Sequence, residues 1–291
     1  MSLKTSRGRI RDYLSLVKFS HTVFAMPFAL LGYFTAVKGD NCGFSGRILI
    51  LVLLCMVFAR NAAMGFNRYA DKKIDSINPR TSGREIPAGI ISPRSALWFV
   101  IVNSILFITA AAMINRLAFF LSPVALALIL GYSLTKRFTS LSHLFLGLSL
   151  SLSPVGAYIA VSGKFAAVPV IYGLVVLTWV SGFDIIYSLQ DARFDRQNRL
   201  HSIPAAFGER RALGISTMLH LLSLLSVIAA GILSEAGIIY YAGAVIFSTI
   251  LISEHIIIRP GKTDRIDLAF ATFNSMAGII FSALAIISLY F

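Results

Sequence analysis

ILILVLLCMVFARNAAMGFNRYADKKIDSINPR, residues 48–80, is the stretch that decides the fold. Its first part, residues 48–66, is apolar apart from Arg60 and Asn61. That length falls in the range of roughly 17–25 residues that a helix needs to cross a bilayer. Immediately after it come Asn67, Asp71 and Asp75 at a spacing of four, interleaved with Arg68, Lys72 and Lys73. Asn78-Pro79 then stops the segment, because the residue before proline resists helical geometry. The pattern predicts a membrane-spanning helix that runs past the membrane surface and carries acids on its extension.

Working outward, apolar runs of comparable length recur at residues 20–37, 96–114, 117–134, 144–161, 166–186, 212–232, 237–252 and 269–291. With residues 48–66 they make nine. The whole chain of 291 residues is 57% hydrophobic and 13% charged, against about 25% charged for a soluble domain, and its mean hydropathy is +0.79. A soluble helical protein lacks the polar surface to cover nine such segments. The expected fold is therefore an all-α membrane protein with nine transmembrane helices in one bundle, forming a single domain over residues 1–291. No low-complexity linker, soluble domain or cleavable signal is expected.

The basic residues set the orientation. Of 26 Lys and Arg, 21 fall in alternate loops starting from the N-terminus, four fall in the others, and Arg60 lies inside a span. That asymmetry predicts a cytoplasmic N-terminus, with residues 67–94 and 187–211 on the same face. The net charge of +13 resides in short juxtamembrane loops. Membrane lipid head groups and an anionic substrate account for it better than nucleic acid. Cys42 and Cys55 fit no metal spacing and no disulfide.

The sixth span leads into a second acidic cluster, Asp184, Asp191 and Asp195. On a helix advancing 100° per residue these three fall within about 40° of one another, and Arg60, Asn67, Asp71 and Asp75 within about 100°. Each cluster thus occupies one face. Both sit at helix C-termini, where the helix dipole already disfavours negative charge. A bound divalent cation offsets that cost. Taken alone, either cluster reads equally well as a solvated helix end; two on the same side of a membrane favour a site. Such a site suits an allylic diphosphate. Mg2+ held by Asn67, Asp71, Asp75, Asp191 and Asp195 would neutralise the leaving group. Lys72, Lys73, Arg80, Arg84, Lys136 and Arg137 would clamp the remaining oxygens. Asp71, Asp191 and Arg137 form the expected catalytic core, with Asp184 beside the substrate. Arg60, buried in the second span, reads as the partner of an acceptor carboxylate, and Lys18 as a weaker contact at the opening of the first span. Asn274 reads as an interhelical hydrogen bond.

These residues resemble a known family. Asn67-x-x-x-Asp71-x-x-x-Asp75, followed by the run from Asn78-Pro79-Arg80-Thr81 to Gly89, is similar to the first signature of the UbiA superfamily of intramembrane aromatic prenyltransferases. Asp191-x-x-x-Asp195 with Asp184 upstream resembles the second. The run from Tyr132 to Thr139 resembles the loop after the fourth helix in the 4-hydroxybenzoate polyprenyltransferase branch. The resemblance covers nearly the whole chain. It implies a Mg2+-dependent polyprenyltransferase of a bacterial inner membrane, with its active site facing the cytoplasm and no obligate protein partner. Its substrates would be a polyprenyl diphosphate and an aromatic acid acceptor, in ubiquinone or menaquinone biosynthesis. Arg68 departs from the pattern, standing where many relatives carry an acid, and leaves the number of metals open. The run from Lys18 to Ala29 looks closer to a menaquinone subgroup, so 4-hydroxybenzoate and a dihydroxynaphthoate both stand as acceptors. Haem, chlorophyllide or a glycerol phosphate lipid would use the same metal motif. A transporter is the reading from another class, and charges clustered at the membrane surface rather than its midplane argue against it.

Overall fold

The computed structural model describes residues 12–17, 25–39, 42–259, 266 and 272–291. Lys18, together with most of the run that opens the first span, lies outside the described residues. Every described element is helical. The main helices are α1 (Met26–Gly39), α2 (Gly46–Ala70), α3 (Lys72–Ile77), α4 (Pro93–Ile114), α5 (Arg116–Thr135), α6 (Ser142–Ser162), α7 (Ala167–Ser188), α8 (Ala192–Gln197), α9 (Ile203–Phe207), α10 (Glu209–Leu233), α11 (Ile238–Ile257) and α12 (Asn274–Ser288).

Seven of these, α2, α4, α5, α6, α7, α10 and α11, are long and apolar enough to cross a membrane. They coincide with the second to eighth expected spans. The described parts of the first and ninth, α1 and α12, are 14 and 15 residues long and fall short of spanning length. The helix starts follow local chemistry. Ser45 and Ser92 accept hydrogen bonds from Ile48 N and Ser95 N, and Pro93 opens α4 where its missing N–H costs nothing. Asn115 ends α4 and caps α5 through Ala118 N at 2.8 Å. Its amide also donates to Ile159 O and Ala160 O, tying that turn to the far end of α6.

Helix α6 is shared by two groups of helices. On one side it packs with α2, α4 and α5; on the other it packs with α1 and α7, beyond which lie α10, α11 and α12. Close approach depends on glycine. A Cβ at Gly32 of α1 would fall 2.1 Å from Pro154 O, and one at Gly147 of α6 would fall 2.4 Å from Leu177 O of α7. The second group is filled by aromatic rings, with Trp179 buried among Phe28, Phe183 and Phe247 at 5.5–5.7 Å. A buried polar chain runs through it: Trp179 Nε1 donates to Asn274 Oδ1 at 3.0 Å, and Asn274 Nδ2 donates to Glu254 Oε1 at 3.1 Å. The first group encloses a cavity of about 330 Å³, lined mostly by apolar side chains of α2, α4, α5 and α6, with Arg60, Tyr132, Ser122, Ser149 and Ser153 among its polar ones.

One expectation needs correcting. The acidic extensions are not continuous helices. Asp71 ends α2 and starts α3, with φ −88° and ψ 6° outside helical geometry. The chain tightens into a 3-10 turn over Leu189–Asp191 before α8 resumes. Each break falls at a carboxylate of the acidic cluster. Asn78 ends α3 as expected.

Candidate active site

Both breaks lie at the same end of the bundle, and there the two clusters face one another through basic side chains. Asp71, at the end of α2, accepts hydrogen bonds from Asn67 Nδ2 at 3.2 Å and Arg137 Nη2 at 3.2 Å. The same Arg137 nitrogen donates to Ala70 O at 2.7 Å, one of the carbonyls that the helix end leaves free. Burial pushes the Asp71 carboxyl above its ordinary range, with the Arg137 bond acting in the opposite sense. Asp75, buried on α3, is held by Arg84 Nη1 at 2.6 Å.

Across the site, Asp191 accepts from Arg80 Nε at 3.0 Å, pairs through its second oxygen with Arg80 Nη2, and accepts from Asn78 Nδ2 at 3.3 Å. The bidentate fork matches the planar guanidinium to the carboxylate. Burial opposes the charge on Arg80, but its bonds to Asp191 and Tyr187 more than offset this and raise its pKa. Asp195 is fully buried, with Lys136 Nζ 2.8 Å from Oδ1 but not aligned for a hydrogen bond. Adjacent residues at the end of α5, Lys136 and Arg137, therefore reach opposite clusters, and Arg80 crosses from the first to the second.

Two further predicted residues take distinct positions. Arg60 lines the cavity together with Tyr132, apart from the carboxylates. Lys72 lies over the Tyr69 ring at 3.9 Å instead of against a carboxylate, in a surface cleft shared with Phe66, Lys73, Leu134 and Arg137. Asp184 is bound by a residue that the spacing did not reveal. His143 Nδ1 lies 2.7 Å from Asp184 Oδ2, and His143 Nε2 accepts from Ile203 N at 3.3 Å. The second bond fixes the tautomer, so Nδ1 carries the proton and donates to Asp184. Asn78 was legible only as a helix stop, and its amide reach to Asp191 depends on the chain folding back between the clusters.

The donor set suits a hard divalent cation: four carboxylates and an amide, all oxygen ligands. Asp75 Oδ2 and Asp195 Oδ2 are buried without hydrogen-bond partners, which leaves ligand capacity unused. Among the described residues, however, no three His, Cys, Asp or Glu side chains converge on one point. Arg and Lys neutralise the carboxylates individually. Asn67, Asp71, Asp75, Asp191 and Asp195 thus suit Mg2+ in donor chemistry, but each carboxylate is turned toward a basic partner and they do not converge as a ligand set.

Residues 25–277 match the model of the UbiA prenyltransferase family. A 4-hydroxybenzoate octaprenyltransferase of Aeromonas hydrophila is 31% identical over 240 residues, covering 81% of this chain and 83% of that protein. The apo structure of a UbiA homolog from Aeropyrum pernix K1 superposes with a TM-score of 0.83 at 32% identity, covering 92% of this chain and 97% of that one. A UbiA homolog from Archaeoglobus fulgidus, solved bound to DMAPP and Mg2+, shares the fold at a TM-score of 0.68 and 20% identity, over 93% and 99% of the two chains.

Proposed function

This chain belongs to the UbiA prenyltransferase family, and on that premise we propose that it transfers a polyprenyl chain from an allylic diphosphate to a hydroxylated aromatic acid. One observation carries the reading. Four carboxylates, each beside an Arg or Lys, sit at the end of a largely apolar cavity whose polar lining includes Arg60 and Tyr132. The charged tier suits a diphosphate and the cavity suits the organic groups.

In this reading Arg80, Arg84, Lys136 and Arg137 bind diphosphate oxygens. Mg2+, when held by Asn67, Asp71, Asp75, Asp191 and Asp195, supplies the charge that stabilises the departing diphosphate. The allylic C–O bond breaks with its electron pair going to diphosphate. A carbon of the acceptor ring then forms the new C–C bond, and the ring proton is lost. The apolar walls of α2, α4, α5 and α6 keep water from the allylic cation until the ring attacks. Arg60 orients the acceptor through its carboxylate. Asp184, oriented by His143, borders the same site. The name of the Aeromonas relative supports 4-hydroxybenzoate as the acceptor; the run from Lys18 to Ala29 supports a dihydroxynaphthoate, and the acceptor class spans both. We further infer nine spans, an N-terminus in the cytoplasm of a bacterial cell and a site open to that side, from the charge asymmetry of the loops.

Purified protein in nanodiscs, given a radiolabelled polyprenyl diphosphate, Mg2+ and a panel of acceptors, tests the reading. Prenylated product is expected with 4-hydroxybenzoate or a dihydroxynaphthoate. Product formed only with a glycerol phosphate lipid or a tetrapyrrole, or none with any acceptor, would overturn it.

A further inference from the structure

Arg68, on the last turn of α2, stands apart from the other basic residues at this end of the bundle. It is 3% exposed, its Nε has no hydrogen-bond partner, and it makes no ion pair with any described residue. Arg80, Arg84, Lys136 and Arg137 are each paired with a carboxylate and are far more exposed. A buried charge without a partner is costly, so proteins rarely keep one unless something else balances it.

The groups acting on Arg68 are Arg84, Asp75, Glu85 and the Tyr132 phenol. Tyr132 is in turn acted on by Arg68, Asp71 and Asp184. Arg68 sits in the last turn of α2, one residue from Asn67 and three from Asp71. Asp75 is the matching anomaly: buried, with Oδ2 lacking a hydrogen-bond partner. Arg68 Nε and Asp75 Oδ2 are both buried without hydrogen-bond partners, and Arg84, which bonds the other Asp75 oxygen at 2.6 Å, also acts on Arg68; together they suit a ligand of mixed charge. A cation would satisfy Asp75 and an anion would satisfy Arg68.

We propose that Arg68 is a binding residue for the diphosphate of the prenyl donor, a fixed positive charge that the folded chain holds ready for the leaving group. This rests on the transferase reading above and assigns to it a residue that the spacing of acids and amides leaves out. Asp75 and Glu85 favour the Arg68 charge from a distance, but neither forms an ion pair with it, and Asp75 is already bonded to Arg84. A role toward the acceptor carboxylate duplicates Arg60, which already lies within the cavity.

The proposal makes a prediction of unusual sign. Removing an unpaired buried charge relieves the fold, so Arg68→Met should melt at the wild-type temperature or above it. The same variant should bind diphosphate at least about tenfold more weakly, as expected for loss of a charge-assisted contact. The full chain in nanodiscs is titrated with inorganic diphosphate and Mg2+ by calorimetry, and the KM for prenyl diphosphate and for acceptor are measured separately. Weakened diphosphate binding with unchanged acceptor KM, and partial recovery in Arg68→Lys, is the expected result. An Arg68→Met protein that fails to fold, or that melts lower while binding diphosphate normally, would assign the charge to the fold and overturn the proposal. A raised acceptor KM with normal diphosphate binding would overturn it in favour of the acceptor. If the variant is weakened in both stability and binding, Arg68→Lys decides: affinity that does not recover counts against a binding role. Failure of the wild-type protein to bind diphosphate at all would instead sink the transferase reading itself.

Discussion

Gly147→Ala is a test of how the bundle positions its chemistry. Gly147 lies where α6 crosses α7, and an added Cβ would sit 2.3 Å from Ser181 Oγ and 2.4 Å from Leu177 O. Ordinary contact begins at 3.4 Å, so the two helices must part by about 1 Å. Overpacking of this kind costs roughly 1–3 kcal/mol, while replacing a helical glycine by alanine returns up to about 1 kcal/mol. The net expectation is a loss of roughly 1–2 kcal/mol, read as a fall of a few degrees in the thermal midpoint. The loss should extend to the site. Ser181 Oγ, one of the groups displaced, donates to His143 O at 3.1 Å, and His143 holds Asp184 from the neighbouring helix. Turnover of the protein that remains folded should therefore drop as well. The assay pairs thermal unfolding in detergent with prenyl transfer at a temperature where both proteins are folded. Gly214→Ala on α10, with nothing within 4 Å of the new Cβ, is the control and should be neutral or slightly stabilising. Equal stability and turnover in Gly147→Ala would refute the argument that this crossing sets the position of His143.

Three other outcomes follow from the site and its setting. Asp71→Ala and Asp191→Ala should each lower turnover by about 10²-fold or more, as should chelation of divalent metal; a folded variant working at near the wild-type rate would remove that carboxylate from the chemistry. Arg60→Leu should raise the acceptor KM without changing diphosphate affinity, because the two ligands use different tiers, and kinetics with each substrate varied in turn separates the cases. Cys42, an exposed native thiol in the loop before α2, should react with an impermeant maleimide added outside sealed cells, whereas Ser76→Cys in a Cys42→Ser background should not; labelling at position 76 from outside would reverse the assigned orientation.

The helices were legible because each of the seven spanning ones is a long apolar stretch bounded by charge, Pro or a capping Asn or Ser. Position along the chain sufficed. The site was legible in part, because helical spacing gathers Asn67, Asp71 and Asp75 on one face and Asp191 and Asp195 on another. What spacing cannot supply is the pairing between segments distant in sequence. Arg80 crossing to Asp191 and Lys136 to Asp195 depend on how the loops fold back over the bundle. His143 was hidden for the same reason: a single histidine at the start of an apolar helix carries no periodic signal, and its meaning arises only from Asp184 on α7 and Ile203 beyond α8. The helix breaks at Asp71 and Asp191 were also unreadable, since neither lies next to a Pro or Gly that would mark them.

The four ion pairs of the two acidic clusters bear on how the proposed substrate would be taken up. A carboxylate bonded to Arg or Lys is not yet available to a metal, and a guanidinium bonded to a carboxylate is not yet available to a phosphate. In the proposed function, loading would be a double exchange: acids would trade their guanidinium and ammonium partners for Mg2+, and those bases would turn to the diphosphate. Charge balance holds before and after, so a bilayer protein keeps this end of the bundle neutralised while idle. The trade also rewards simultaneous arrival. Metal alone would displace bases that have nowhere to go, and diphosphate alone would leave acids uncompensated, so the two should bind with positive cooperativity and each should sharpen the other's apparent affinity.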